Sequence, residues 1–208
     1  MIVKVKRQRI FRPKFARSAF AALAALGLLS GCVSLGGVEP PEQLLTLTSA
    51  ASAPVGAASE GEASAALAVQ VPSVAQRLNV NRIPVVTSDS SLAYLADAFW
   101  VEKPARLFRN VLAETIRAKG NRLVASGGEL EYVAQTQLSG QLTAMDYDAA
   151  SASVVVRYDA VLELPDGRVM TQRFEETISG VPAEANAVGA AMNEAANIVA
   201  DQVAEWVG

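Results

Sequence analysis

The chain has 208 residues, 18 Lys and Arg against 21 Asp and Glu, no histidine and one cysteine. Without histidine, Ser-His-Asp and Cys-His nucleophilic catalysis are excluded, and so are the usual zinc ligand sets. One cysteine permits no disulfide within the chain, so stability must come from packing.

Residues 1–17 carry Lys4, Lys6, Arg7, Arg9, Arg12, Lys14 and Arg17 with no acid. The apolar run Ser18 to Leu29 follows. It is too short for the roughly 20 residues that cross a bilayer as a helix, and it fits the core of a secretory signal. Leu29-Ser30-Gly31-Cys32 then reads as a bacterial lipoprotein signal. Small Ser30 and Gly31 admit a peptidase, and the Cys32 thiol accepts a diacylglyceryl group. Residues 1–31 are thus expected to be removed, leaving acylated Cys32 as N-terminus and membrane anchor. The competing reading is an uncleaved signal anchor with an ordinary cysteine. Two or three acyl chains anchor stably where one alone is marginal. Val33, not Asp, favours the outer membrane, with the domain in the periplasm.

Cleavage changes the charge. The signal holds seven of the 18 basic residues and none of the 21 acidic ones, leaving 11 against 21, a net charge of −10. Such a surface argues against binding nucleic acid or anionic headgroups. The remaining length suits one domain.

Residues 32–42 form a Gly/Pro tether, and residues 43–208 form the domain. Residues 43–48 suit a first strand, and residues 49–65, rich in Ala, Ser and Gly, a flexible loop. Residues 66–71 resume as a strand that Pro72 ends. Residues 81–87 read as an edge strand, because Pro84 lacks an N–H for a ladder. Residues 92–95 are a weaker strand leading into Phe99-Trp100. Residues 104–119 are an amphipathic helix, with Phe108, Val111, Leu112, Thr115 and Ile116 on one face, Pro104 in its first turn and Gly120 at its end. Residues 122–125 read as a short strand.

Three alternating segments come next. In 136–147, Leu138, Gly140, Leu142 and Ala144 share a face. In 153–165, Val154, Val156, Tyr158, Ala160, Leu162 and Leu164 do. Pro165-Asp166-Gly167 is a turn, and 169–178 returns with Met170, Phe174 and Ile178 on one side. Such strands imply an antiparallel meander. Residues 182–207 are a second helix, whose stripe runs from Val188 through Ala191, Met192, Ala195, Ile198, Val199, Gln202 and Val203 to Trp206. The expected architecture is one α+β domain, a mostly antiparallel sheet with two helices packed on one face.

No catalytic constellation emerges, and neither a cofactor nor a metal is expected. The acidic pairs Asp146/Asp148, Glu129/Glu131 and Glu175/Glu176 read as solvated surface. Trp100 and Trp206 read as core or rim packing, or as contacts to a partner or lipid, and Phe99-Trp100 as a staple before the helix.

Taken together, the lipobox, the Leu-rich first strand, the Val71-Pro72 strand end, Leu78-Asn79-Val80-Asn81-Arg82-Ile83 and the Trp-initiated segment Trp100 to Phe108 resemble the ABC-type transport auxiliary lipoprotein family. The resemblance spans about residues 43–207. It implies a lipoprotein that accompanies an ABC ATPase, a permease and an MCE-domain protein, in systems moving lipids between the inner and outer membranes. Its partner would be the periplasmic MCE-domain protein, with Phe99, Trp100 and Trp206 as candidate contacts and no hydrolytic role. The alternative is a lipoprotein of outer-membrane assembly or of peptidoglycan-synthase activation.

Overall fold

A computed structural model describes residues 43–120 and 122–208. Cys32, the signal and the tether lie outside the described residues. The described residues belong to one compact unit.

The elements are β1 (Leu67–Val69), β2 (Ser73–Val74), β3 (Arg82–Ser88), β4 (Ser91–Phe99), α1 (Pro104–Lys119), β5 (Val124–Ala125), α2 (Glu129–Val133), β6 (Thr136–Asp148), β7 (Ser153–Glu163), β8 (Val169–Ser179) and α3 (Ala185–Val207). Single 3₁₀ turns occupy Ala63–Ala65 and Gln76–Leu78. All eight strands form one mixed sheet.

The alternating sequence of β6 makes it the centre of that sheet. One edge pairs antiparallel with β7, from Gln137 opposite Glu163 to Asp148 opposite Ser153. The other edge is shared in parallel by three short segments. Leu67–Val69 lie beside Thr136–Leu138, Ser73 and Val74 beside Gln141 and Leu142, and Val85 and Val86 beside Tyr147 and Asp148. β8 continues the antiparallel meander from β7, β4 pairs antiparallel with β3, and β5 pairs parallel with β1.

Several expectations change here. Residues 43–48 make only an isolated bridge, Leu45 to Trp100, so there is no first strand. Strand β3 is interior, flanked by β4 and β6. Pro84 is tolerated because the β6 ladder begins only at Val85, and a register shift lies between Arg82 and Pro84. Facing it, β4 carries the extra residues of the bulge, and Asp97 there has φ 53°. Ala144 does not share the face of Leu142. A bulge between Leu142 and Ala144 shifts the alternation by one residue, so Met145 and Tyr147 enter the main core instead. The short helix α2 has no counterpart among the expected elements.

Long helices α1 and α3 pack on each other and on the inward residues of β7, namely Val154, Val156, Tyr158, Ala160 and Leu162. Phe108 of α1 meets the Tyr158 ring edge-on, with centroids 5.3 Å apart. Full burial of a Phe of this kind is worth about 1.5–3 kcal/mol. Val188, Met192, Ala195, Val199 and Val203 form the buried stripe of α3, with Ala196, Ala200 and Ala204 beside it. These small residues let the helix approach closely, while Ile198 and Gln202, expected within the stripe, stand at its half-buried margin. A second, small cluster of Ala66, Ala68 and Ala134, with Leu123 and Leu130 against it, covers the opposite side of β1. That explains why all three residues of β1 are buried.

Gly140 fixes the middle of β6. Its φ is 147°, and a Cβ there would collide with the Asp159 carbonyl oxygen and stand 3.0 Å from the Tyr158 hydroxyl. The empty space lets Tyr158 Oη donate to the Ser139 carbonyl at 2.6 Å. Burial pushes the Tyr158 phenol well above its ordinary range, so it remains a neutral donor. Gly140→Ala must therefore strain the backbone and open the β6–β7 ladder. The expected loss is about 2–4 kcal/mol, read as a fall of roughly 5–15 °C in thermal midpoint. An unchanged midpoint would show that the ladder absorbs the methyl group.

Candidate functional site

The described chain begins next to Trp100. Leu45 N–H donates to the Phe99 carbonyl at 2.7 Å, and Val101 N–H donates to the Leu45 carbonyl at 2.8 Å. The Leu45 side chain fills the space that Gly189 of α3 leaves open, since a Cβ at 189 would stand 2.7 Å from Leu45 Cδ2. Thr48 and Ala50 N–H groups donate to the Asn193 and Asn197 side chains at 2.7 Å each. The Asn197 amide donates back to the Thr48 carbonyl at 2.9 Å. The N-terminal segment is thus fastened onto one side of α3 before the sheet begins. Ala50 to Glu62 then runs on without helix or strand.

The segment Leu78 to Ile83 closes over the same point. Asn81 accepts Trp100 N–H at its carbonyl, 3.0 Å, and donates its amide to the Trp100 carbonyl, 3.2 Å. Asn79 Oδ1 accepts from Lys103 Nζ at 2.8 Å. The Arg82 guanidinium lies 5.3 Å from the ring centroids of both Tyr94 and Phe99, a cation–π arrangement. Leu78 and Ile83 are fully buried. The two motifs that stand some 20 residues apart in sequence are therefore one clamp around Trp100 in space.

The candidate contact residues separate here. Trp100 is 1% exposed, so it offers no surface to a partner, and its role is core packing beneath the clamp. Phe99 is half-buried against Arg82. Trp206 is half-buried at the far end of α3 and meets Phe174 edge-on at 5.7 Å. The three residues do not form one patch. Beside the clamp, the exposed apolar side chains are Leu44 and Val101.

Asp146 is also reassigned. It is buried, not solvated, and takes Arg77 Nη2 at 2.8 Å, while the same Arg77 atom reaches the Thr143 carbonyl at 2.7 Å. The pair ties the 3₁₀ turn Gln76–Leu78 to the bulge of β6. Asp148 caps the next turn, accepting from the Ala150 and Ser151 N–H groups. Among the described residues, no group of three Cys, Asp or Glu side chains is placed to hold a metal ion.

The outward face of the meander carries crossed charges. Arg173 donates from Nε and Nη2 to both Asp159 oxygens at 2.6 and 2.7 Å, and Arg157 pairs with Glu175. Each pair is directly opposite across β7 and β8. Hydrogen bonding to Arg173 lowers the Asp159 pKa, and hydrogen bonding to Arg157 lowers that of Glu175.

These features define a class, an α+β domain whose elaborated features are a clamped N-terminal entry and a charged sheet face. The match to known proteins is specific about which domain of that class it is. Residues 45–204 match the family model described as "ABC-type transport auxiliary lipoprotein component", and the chain belongs to that family. Its place is therefore among membrane-anchored envelope lipoproteins associated with ABC-type transport. Two solved structures share the fold. One is described only as an uncharacterized protein, at TM-score 0.61 and 17% identity, covering 69% of this chain and 92% of its own. The other is protein XCC0632 from Xanthomonas campestris, of family DUF330, at TM-score 0.61 and 19% identity, covering 80% and 92%. No curated protein sequence matches the chain significantly.

Two predictions follow from this geometry. Trp100→Ala should cost about 3–5 kcal/mol through the cavity beneath the clamp, whereas Val101→Ala at the exposed neighbour should stay within about 0.5 kcal/mol; chemical denaturation compares them. The Asp159 and Glu175 pairs contribute stability above the unfolded carboxylate pKa of about 4. That contribution is lost as pH falls through their lowered folded values. For surface pairs it is small, about 0–1 kcal/mol each. The stability gap between wild type and Asp159→Asn should thus be constant above about pH 5 and close below about pH 4.

Proposed function

We propose that the protein is a non-catalytic, lipid-anchored periplasmic subunit that docks the MCE-domain component of an ABC transport system moving lipids between the inner and outer membranes. Acylated Cys32 holds it at the inner leaflet of the outer membrane, and the domain presents its surface to the periplasm. The observation that carries the reading is the family match over residues 45–204 together with the clamped entry at Leu45. Eleven Cα–Cα steps span the ten residues between Cys32 and Gln43. Extended, they reach about 35–40 Å, so the tether sets the standoff of the domain from the bilayer. The −10 charge of the chain after Cys32 keeps the domain off anionic headgroups and free to meet a protein partner. Phe99 and Trp206, each half-buried, are candidate aromatic contacts for that partner.

Cys32→Ala should abolish acyl labelling and release the chain from the membrane fraction. Native extraction of the tagged wild-type chain should co-purify an MCE-domain protein. Recovery of a β-barrel assembly component or a peptidoglycan synthase in its place would move the protein to the alternative class.

A further inference from the structure

Strand β8 forms a free edge of the sheet. Among the described residues it pairs only with β7, through eleven consecutive register positions without a bulge. Edge strands of this length are templates for pairing with another strand, and proteins usually blunt them with Pro, Lys, bulges or shortness. The opposite limits of this sheet are blunted in that way: β5 has two residues, and β4 is bulged at Asp97. Strand β8 has neither Pro nor Lys.

The sequence of β8 is also complementary to itself when reversed. With a two-fold axis at Phe174, Arg173 falls opposite the partner's Glu175 and Glu175 opposite the partner's Arg173. Thr171 meets Thr177, Gln172 meets Glu176, and Met170 meets Ile178. Each of these is a favourable cross-strand combination. The neighbouring strand strengthens the match. Because Asp159 lies opposite Arg173 and Arg157 opposite Glu175, one row across four strands reads Asp159, Arg173, the partner's Glu175, the partner's Arg157. Signs alternate throughout. On the helix-covered side, Met170, 37% exposed, gains the partner's Ile178 as cover.

We infer that β8 is a homodimer interface, in which two copies of this chain pair antiparallel about Phe174 and join their sheets into one. Such an interface is isologous, the arrangement that closes with two copies. It is independent of the transport reading and of the Cys32 anchor.

The test uses the full-length chain in detergent, with mass measured by light scattering on size exclusion. The wild type should be dimeric at micromolar concentration. Arg173→Glu sets like charges opposite the partner's Glu175, and Glu175→Arg sets like charges opposite the partner's Arg173. Each variant alone should dimerise at least about tenfold more weakly. Mixed in equal amounts, they should recover a dimer, because all four opposing charges are then of opposite sign. A monomeric wild type, variants that dimerise like wild type, or a folded mixture that stays monomeric would each overturn the interface. Should either variant fail to fold, Thr171→Cys/Thr177→Cys provides the second readout. The two positions lie about 20 Å apart along one strand, beyond disulfide reach within a chain. An oxidised 171–177 link mapped by peptide mass spectrometry therefore reports the proposed pairing, and its absence in a folded sample refutes it.

Discussion

Strand β6 is the constraint on which the remaining structure depends. A strand has two hydrogen-bonding edges, and β6 uses one for the whole of β7 while three separate segments share the other. The first half of the domain therefore follows a template that is made only later in the chain. Such pairing is non-local, and the loops it closes cost entropy before any contact returns it. The single bulge near Thr143 reconciles the two ends of this template. Ahead of it Leu138 and Leu142 face the main core, and beyond it Met145 and Tyr147 do. Asp146, turned to the other side by the same shift, receives Arg77, and the Tyr147 hydroxyl donates to the Val181 carbonyl at 2.8 Å at the start of the α3 connection. One inserted residue thus sets both the partner of the Gln76–Leu78 turn and the anchorage before the last helix.

Around Trp100 the same economy applies to the entry of the chain. Leu45 bonds to both neighbours of Trp100, Asn81 bonds to Trp100 itself, and α3 leaves a glycine beneath Leu45. Leu45 is where the described chain first joins the strands, through its bridge to Trp100. Backbone hydrogen bonds backed by a buried indole are costly to open, because breaking them exposes the core. Hydrogen bonds and packing thus hold the entry of the domain without a disulfide.

The sequence made the long periodic elements legible, and their physical cause is local. Pro104 and Gly120 bracket α1, and Pro165-Asp166-Gly167 joins β7 to β8, with Gly167 at φ 83° and Asp166 accepting from Arg168 N–H. Short strands were less visible. Pro84 argued for an edge, but a ladder that starts one residue later accommodates it. Ser73–Val74 is too short to show a period, and its strand character comes from β6, whereas residues 122–125, read as a short strand, do contain β5. Ala144 departs from its expected face because a bulge has no signature in simple alternation, and Asp146 is buried because the Arg77 turn covers it, a tertiary contact. At the site, the motif residues Asn79, Asn81, Arg82 and Trp100 were all visible, but their meeting in one clamp is tertiary. So is the burial that turns Trp100 from a candidate contact into core.

An edge strand of eleven residues without Pro, Lys or a bulge calls for a reason why it does not recruit arbitrary strands. Here the charges select both partner and register. A slip of two positions in one direction puts Arg173 opposite its own copy, and a slip of two in the other puts Glu175 opposite its own copy. Either arrangement places like charges at the symmetry axis, which costs about as much as a matched pair gains. A slip of one position turns the partner over and sets its helix-covered side against the charged face of this sheet. A foreign strand meets Asp159, Arg173, Arg157 and Glu175 already paired in rows, and gains from them only where it offers alternating charges at the same spacing. The acidic excess of the domain opposes unspecific association at long range, and the alternating rows of β7 and β8 admit one short-range exception to it. Repulsion between whole domains and attraction along a single strand edge are thus compatible, because they act at different distances: screening removes the first beyond about 8–10 Å at physiological salt, while the second operates at the spacing of neighbouring strands, about 4.8 Å.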